Sequence, residues 1–177
     1  PGARDFKLTH QYLNDAKTAG IDADLYTVKV TATDERGASA DQTATVTVKN
    51  VAPTLSGVTV TKTIDENGVV TLAGTVGDTG TLDVETLTID WGDGTTVDTL
   101  VLKPGSRDFT TTHKYLNDAK TAGIASDVYT VTVTAADERG ATAKETASVA
   151  VKNVAPTLAG VTITKTIDEN GVATLTG

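Results

Sequence analysis

The sequence predicts an all-β protein, an antiparallel β-sandwich in tandem repeat, on three observations. When the chain is shifted by 103 positions, residues 1–74 fall on residues 104–177 without a gap, and 56 of these 74 pairs are identical. Apolar and polar residues alternate with a period of two through most of the chain, as in half-buried strands. Clusters of Gly, Asn and Asp separate these segments as turns do. A module repeated along the chain is therefore expected.

The 103-residue period divides the chain into one complete module and parts of two others. Residues 51–152 are the complete module, residues 1–50 are the C-terminal part of a preceding one, and residues 153–177 are the N-terminal part of a following one. We expect the chain to be a window on a longer repeat protein. Asn50–Pro53 and Asn153–Pro156 mark the joints, which should be short and stiff because proline fixes its own φ and restricts its neighbour.

The first strand of the complete module contains Val58 and Val60. The run Asp65–Gly68 then predicts a tight hairpin turn, because Asn-Gly accepts positive φ. Lys62, like its copy Lys165, lies in phase with the inward positions, so either this is an edge strand protected by an inward charge or the strand changes sheets there. The return strand has one inward face, made of Val70, Leu72, Gly74 and Val76.

Two more strands are predicted in the middle of the module. Leu87, Ile89 and Trp91 form the next inward face, which ends at the turn Gly92–Gly94. Residues 95–102 follow as a strand whose alternation slips, and this slip indicates a bulge or an edge position.

The last three strands bring the total to seven. One is predicted where Phe109, Thr111, His113 and Tyr115 share a face, and a longer loop, residues 116–126, follows it. The other two flank a turn at Asp137–Gly140, and their inward residues are Tyr129, Val131, Val133, Ala147, Val149 and Val151. Seven strands with turns between them are typical of an antiparallel sandwich.

Composition narrows the class of protein. The chain carries a net charge of −8 and contains neither cysteine nor methionine. Without cysteine it has no disulfide framework and no zinc–thiolate site. The acidic charge argues against nucleic acid as a partner, and no apolar run is long enough to span a bilayer. A composition rich in Thr, Val and Ala and free of cysteine favours a secreted protein at a microbial cell surface.

The sequence predicts no enzyme. His10 and His113, one in each copy, share a face with aromatic residues, as partly buried structural histidines do. None of the serines lies in a Gly-x-Ser-x-Gly elbow. Trp91, the only tryptophan, occupies an expected core position, where packing is favoured over stacking on a sugar.

Carboxylates near the joints are the candidate metal ligands, since Ca²⁺ takes six to eight oxygen ligands. An acidic turn, an Asn-containing linker before Ala-Pro and acidic residues of the next module are loosely similar to the cadherin pattern. Calcium at the joint, calcium in another acidic loop and plain solvated turns remain alternatives, because a strand of about ten residues, roughly 30 Å, separates the Asp137 turn from the following joint. The candidate calcium ligands are Asp34, Glu35, Asn50, Asp65, Glu66, Asp137, Glu138 and Asn153.

Comparison of the two copies limits the ligands that they can share. Asp22 is replaced by Ala125, so it cannot serve in both copies, whereas Asp15 and Asp24 recur as Asp118 and Asp127. The recurring carboxylates remain candidates.

Three segments together resemble the polycystic-kidney-disease (PKD) domain: Trp91–Gly94, His113–Tyr115 and Tyr129–Thr134. The loop after Tyr115 is longer than in compact members of that family. The resemblance implies an immunoglobulin-like sandwich that acts as a spacer, an adhesive stalk or an accessory domain. Fold alone does not fix function.

Three functions follow as expectations. The first is a stiff extracellular spacer or adhesin stalk whose partners are neighbouring repeats. The second is a subunit of a fibre that other copies of the chain complete by strand exchange. The third is an accessory module that binds glycan or protein, and it is the least favoured because aromatic residues make up only 4% of the chain.

Overall fold

The computed structural model describes residues 5–15, 22–118, 121 and 123–177, and within them the protein is all-β. The hairpin β1 (Ala23–Thr33) and β2 (Ser39–Lys49) precedes the central module. The pair β11 (Thr162–Ile163) and β12 (Leu175–Thr176) follows it. The central strands are β3 (Thr54–Val60), β4 (Thr63–Asp65), β5 (Val69–Gly77), β6 (Glu85–Asp90), β7 (Asp98–Leu102), β8 (Asp108–Lys114), β9 (Ser126–Ala136) and β10 (Thr142–Lys152).

The central strands form two sheets that share one hydrophobic core, consistent with a β-sandwich. One sheet has the order β3-β5-β8 and the other has the order β4-β10-β9-β6-β7. All pairings are antiparallel except that of β4 with β10. The predicted inward residues form the core, and β7 lies at a sheet edge as its slipped alternation indicates. Fully buried members include Val70, Leu72, Leu87, Ile89, Trp91, Val131, Val133, Val149 and Val151.

The central module has eight strands where seven were predicted, because the first one is divided between the sheets. β3 pairs with β5, and after a break at Thr61–Lys62 the chain continues as β4 along β10. Lys62 lies at this break and is exposed, while its carbonyl accepts a hydrogen bond from the Ala150 N–H. Of the two readings of Lys62, the change of sheet is therefore confirmed.

The predicted hairpin at Asp65–Gly68 is wrong in one respect. The turn exists, with Asn67 at φ 62° and the Gly68 N–H bonded to the Asp65 carbonyl. The strands on either side belong to different sheets, so the turn connects the two sheets. Local turn chemistry predicted the backbone conformation, but strand pairing is decided by distant residues.

The hairpin β1–β2 has the same sequence pattern as β9–β10 but a different environment. Val131 and Val133 of β9 are fully buried, whereas their counterparts Val28 and Val30 in β1 are about 40% exposed (43% and 40%). In the central module a second sheet covers this face. The residues of β11 and β12 are likewise exposed.

Candidate functional site at the joint between repeats

The eight predicted calcium ligands lie in three separate places. Asp34 and Glu35 are exposed in the turn between β1 and β2. Asp65, Glu66 and Asn153 lie at the opposite end of the central module, where the Glu66 carboxylate accepts a hydrogen bond from the Val154 N–H at 2.7 Å. Asn50, Asp137 and Glu138 meet at the joint between the first repeat and the central module.

The turn after β9 lies beside the joint that precedes the module. Asn50 Nδ2 donates a hydrogen bond to Asp137 Oδ2 at 2.7 Å, across that joint. Asp137 Oδ1 accepts from the N–H groups of Arg139 and Ala141, at 2.8 and 2.9 Å, and so closes its own turn. Asp34 closes the equivalent turn of the first repeat in the same way, through Arg36 and Ala38. One oxygen of this aspartate thus shapes the turn and the other can contact a neighbouring repeat.

Two further side chains of this turn contact the first repeat. Glu138 Oε1 accepts a hydrogen bond from Asn14 Nδ2 at 3.1 Å. Arg139 lies between two buried carboxylates, with its Nε 3.3 Å from Asp15 Oδ1 and its Nη2 3.9 Å from Asp24 Oδ2. The joint is therefore a polar interface of direct side-chain contacts.

The loop between β5 and β6, together with the first residue of β6, adds three carboxylates that the sequence analysis left out. Thr54 at the start of β3 pairs with Gly77 at the end of β5, so Asp78 emerges at the joint. Thr86 pairs with Ala136, so Glu85 lies next to the Asp137 turn. Asp83 lies between them in sequence, and strand pairing brings the whole loop to the interface.

Gly80 shapes this loop. Its N–H donates a hydrogen bond to Asp78 Oδ1 at 2.6 Å, and its carbonyl accepts one from the Asp83 N–H at 3.1 Å. A Cβ atom at this position would collide with the Asp83 carboxylate. Only glycine lets that carboxylate approach the loop backbone so closely.

Several of these carboxylates are buried, and each has at least one oxygen without a hydrogen-bond partner. Asp83 and Asp15 are each 3% exposed, and Glu85 is 1% exposed. In the described part of the chain, six buried side-chain oxygens have no hydrogen-bond partner, and all six belong to residues of this joint. They are Asn14 Oδ1, Asp15 Oδ2, Asp78 Oδ2, Asp83 Oδ1, Glu85 Oε1 and Glu85 Oε2.

Burial and mutual repulsion raise the pKa values of two carboxylates of this group, Asp83 and Glu85. Burial raises the pKa of Asp83 to about 6, with a further contribution from the charges of Asp78, Glu138, Asp15 and Asp137. Burial also raises the pKa of Glu85, to about 7, helped by its contact with Asp78 and by the charges of Asp137 and Asp83. When one carboxyl of the Asp78–Glu85 pair is protonated it can donate to the other, but when both are ionised neither can donate.

Two arginines lie at the edges of this group. Arg139 is held by Asp15 and Asp24, as described above. Arg107 Nη2 donates to the backbone carbonyl of Asp78 at 3.3 Å. A shallow cleft lined by Asn14, Asp15, Asn50, Gly80 and Asp83 opens between the repeats. Among the described residues, no three Asp, Glu or His side chains are already arranged around a common point as a bound metal ion requires.

The position of Glu85 in the sequence could have identified it as a site residue, whereas nothing in the sequence identified Asp78. Glu85 lies in phase with Leu87, Ile89 and Trp91 on the inward face of β6, and a charge at an inward position is unusual. Asp15 and Asp24 recur in both copies, as Asp118 and Asp127, and this recurrence keeps them among the candidates. These residues come together because of the order of the strands in the sheets, and no local sequence pattern predicts that order.

The histidine of the module packs against the Trp91–Gly94 turn. The His113 ring stacks on Trp91 with centroids 4.6 Å apart, and His113 Nε2 lies 2.8 Å from Asp93 Oδ2. The Tyr115 hydroxyl donates to the Trp91 carbonyl at 2.8 Å. Burial alone would raise the pKa of Asp93, but hydrogen bonds from Thr95 and His113 outweigh it and lower that pKa. These contacts hold the Trp91–Gly94 turn against β8.

Comparison with known proteins gives no family. No family model and no curated protein matches the chain. A solved structure with some likeness is the alkylpurine DNA glycosylase AlkC of Pseudomonas fluorescens bound to DNA containing an abasic site analog, at 14% identity and a TM-score of 0.37. The match covers 56% of this chain and 30% of that protein. A likeness of this size carries no argument. No helix in the described residues could cross a membrane.

Proposed function

We propose that this chain is part of an array of immunoglobulin-like, PKD-like repeats that acts outside the cell as a stiff spacer or adhesin stalk. The observation that carries the proposal is the joint, where Asn14, Asp15 and Asn50 of one repeat bond directly to the Asp137–Arg139 turn of the next. A linker of only a few residues that includes Pro53, with such contacts on its flank, restricts bending between modules, because proline fixes its own φ and restricts its neighbour.

The repeat pattern supports the same function. Consecutive modules that contact only their neighbours build length without a shared core. Outward positions differ between the copies, for example Lys29 against Thr132 and Asp41 against Lys144. A charge-specific ligand surface on those faces is therefore not repeated, which fits a spacer better than a binding module.

Electron paramagnetic resonance distance measurement tests the stiffness of the joint. The chain contains no cysteine, so Thr43→Cys in β2 and Thr99→Cys in β7 introduce two spin labels at exposed positions. We expect one narrow distance distribution between the labels. A broad distribution in the otherwise unsubstituted chain would contradict the stiff-spacer function.

Arg139→Ala, in the same labelled chain, tests the contacts that hold the joint. The substitution leaves Asp15 and Asp24 buried without this cation, so the distance distribution should broaden. Arg36→Ala is the matched control, since Arg36 is the repeat equivalent of Arg139 and is exposed in its turn. It should leave the distribution unchanged.

A second candidate function is self-assembly into a fibre, favoured by the exposed apolar face of β1. Val28 and Val30 correspond to residues that a second sheet covers in the central module. Residues 154–177 correspond to residues 51–74, which include β3, β4 and the first part of β5, and they expose Val161, Ile163 and Leu175. The C-terminal segment of a second copy is therefore a suitable occupant for this face. Light scattering tests it: mass that grows with concentration supports assembly, and a constant 18.2 kDa excludes it.

A further inference from the structure

We propose that the joint between the first repeat and the central module is a calcium site, formed by Asn14 and Asp15 of the first repeat together with Asp78, Asp83 and Glu85 of the central module. This site goes beyond the spacer function and does not depend on it. The first observation is the set of six unpartnered buried oxygens, which these five residues supply between them.

The chemistry of the donor set selects the ligand. All six donors are carboxylate or amide oxygens, which hard cations prefer, and six is the lower limit of calcium coordination. Carboxylates that are only 1% to 3% exposed are costly to keep ionised unless a cation balances them. Glu85 is 1% exposed, and when it and Asp78 are both ionised neither of its oxygens has a hydrogen-bond donor.

The two arginines at the joint do not balance the charge of these carboxylates. Arg139 is engaged by Asp15 Oδ1 and Asp24, which leaves Asp15 Oδ2 without a hydrogen-bond partner. Arg107 Nη2 donates to the backbone carbonyl of Asp78, and its buried Nη1 has no hydrogen-bond partner, so neither of these nitrogens donates to a carboxylate of the group. Asp137 is occupied on both oxygens, by Asn50 and by its own turn, so it shapes the site rather than binding the ion.

Calcium rather than magnesium fits the arrangement of the ligands. They come from two repeats, and calcium accepts variable distances and angles, whereas magnesium demands a near-ideal octahedron and retains its waters. An ion that drew the carboxylates together would join the two repeats, so it would stiffen the joint.

Calorimetric titration and thermal unfolding of the 177-residue chain test the site, with Ca²⁺ added after removal of metal by a chelator. We expect Ca²⁺ to bind and to raise the unfolding temperature, as a ligand of the folded state does. Mg²⁺ at the same concentration should raise it less. No response to millimolar Ca²⁺ would overturn the proposal, and an equal response to Mg²⁺ would overturn the assignment to calcium.

Glu85→Gln separates the site from a general effect on folding. The substitution keeps the shape of the side chain and removes a repelling charge, so in chelator this variant should unfold at a higher temperature than the unsubstituted chain. Its Ca²⁺ affinity should fall by about tenfold or more. A variant that gained as much from Ca²⁺ as the unsubstituted chain would contradict the proposal.

Asp15→Asn tests whether the ion joins two repeats and also serves if Glu85→Gln does not fold. It should weaken Ca²⁺ binding even though Asp15 lies outside the central module. Asp118→Asn is the matched control, since Asp118 is the repeat equivalent of Asp15 and is also buried, at 8% exposure. Equal loss of affinity in the two variants would place the ion elsewhere.

Discussion

At the scale of single residues, the most constrained positions are glycines at which a Cβ atom would overlap a neighbouring group. Gly80 leaves room for the Asp83 carboxylate, and Gly74 leaves room for the Phe109 ring. Gly92 has φ 75° and also lies against β9. These glycines are determined by contacts between distant segments as much as by turn geometry.

Gly92→Ala should destabilise the module by about 2–4 kcal/mol, because a positive φ is strained for alanine and the new Cβ would lie 2.5 Å from the Thr130 carbonyl oxygen. Urea unfolding followed by the fluorescence of Trp91, the only tryptophan, measures it. Gly94→Ala is the control: its φ is 81° but nothing lies within 4 Å, so strain alone should cost about 1–2 kcal/mol. Equal costs would refute the collision with Thr130.

At the scale of elements, identical strand patterns have different fates. β1 and β9 carry the same alternation, yet only β9 buries its apolar face under a second sheet. Alternation therefore identifies which residues share a face but not whether anything covers it. Alternation also did not predict that the first strand is divided into β3 and β4. That division depends on pairing with other strands, because β3 pairs with β5 and β4 pairs with β10.

Val131→Ala should destabilise the central module by about 2 kcal/mol, through lost burial and the cavity left in the core. Val28→Ala, the repeat-equivalent change in β1, should cost less than about 1 kcal/mol because Val28 is half exposed. Chemical denaturation monitored by circular dichroism compares the two. A similar cost for both would mean that β1 is covered in solution.

At the scale of the whole molecule, negative charge is concentrated at the joint between the first repeat and the central module. The net charge is −8, and six carboxylates of two repeats act on one another at a single interface. The opposite end of the central module carries Asn117, Asp118 and Asn153, the repeat equivalents of Asn14, Asp15 and Asn50. The central module thus has one end of the Asn14–Asp15 type and one end with the loop carboxylates.

In metal-free solution, stability should fall as the pH rises from about 4 to 8. The pKa of Asp83 is raised from 3.8 in the unfolded chain to about 6 in the folded protein. Its contribution to the free energy of unfolding is therefore fully present below pH 3.8 and is lost as the pH rises through about 6. Glu85 acts in the same direction, up to about pH 7. A two-unit shift corresponds to roughly 3 kcal/mol for one group. The lowered pKa of Asp93 acts only below about pH 4.

Denaturant unfolding across this pH range, with chelator present, measures the effect. Glu85→Gln should flatten the profile, because the glutamine does not titrate and Asp83 loses a repelling neighbour. Stability that rose steadily from pH 4 to 8 would show that the joint carboxylates are paired in solution. The groups that face Asp83 and Glu85 in this test are Asp15, Asp78, Asp137, Glu138, Arg107 and Arg139.

Sequence alone determined the repeat, the all-β class and nearly every core position, because a period of 103 and an alternation of two are properties of the chain itself. It also singled out Asn50, Asp137 and Glu138, and it retained Asp15 and Asp24. Only the tertiary structure decided which joint they serve. β9 returns the Asp137 turn to the end where the module begins, and β5 and β6 bring Asp78, Asp83 and Glu85 to the same end. Strand order sets those meetings through long-range pairing, so no local pattern contains them.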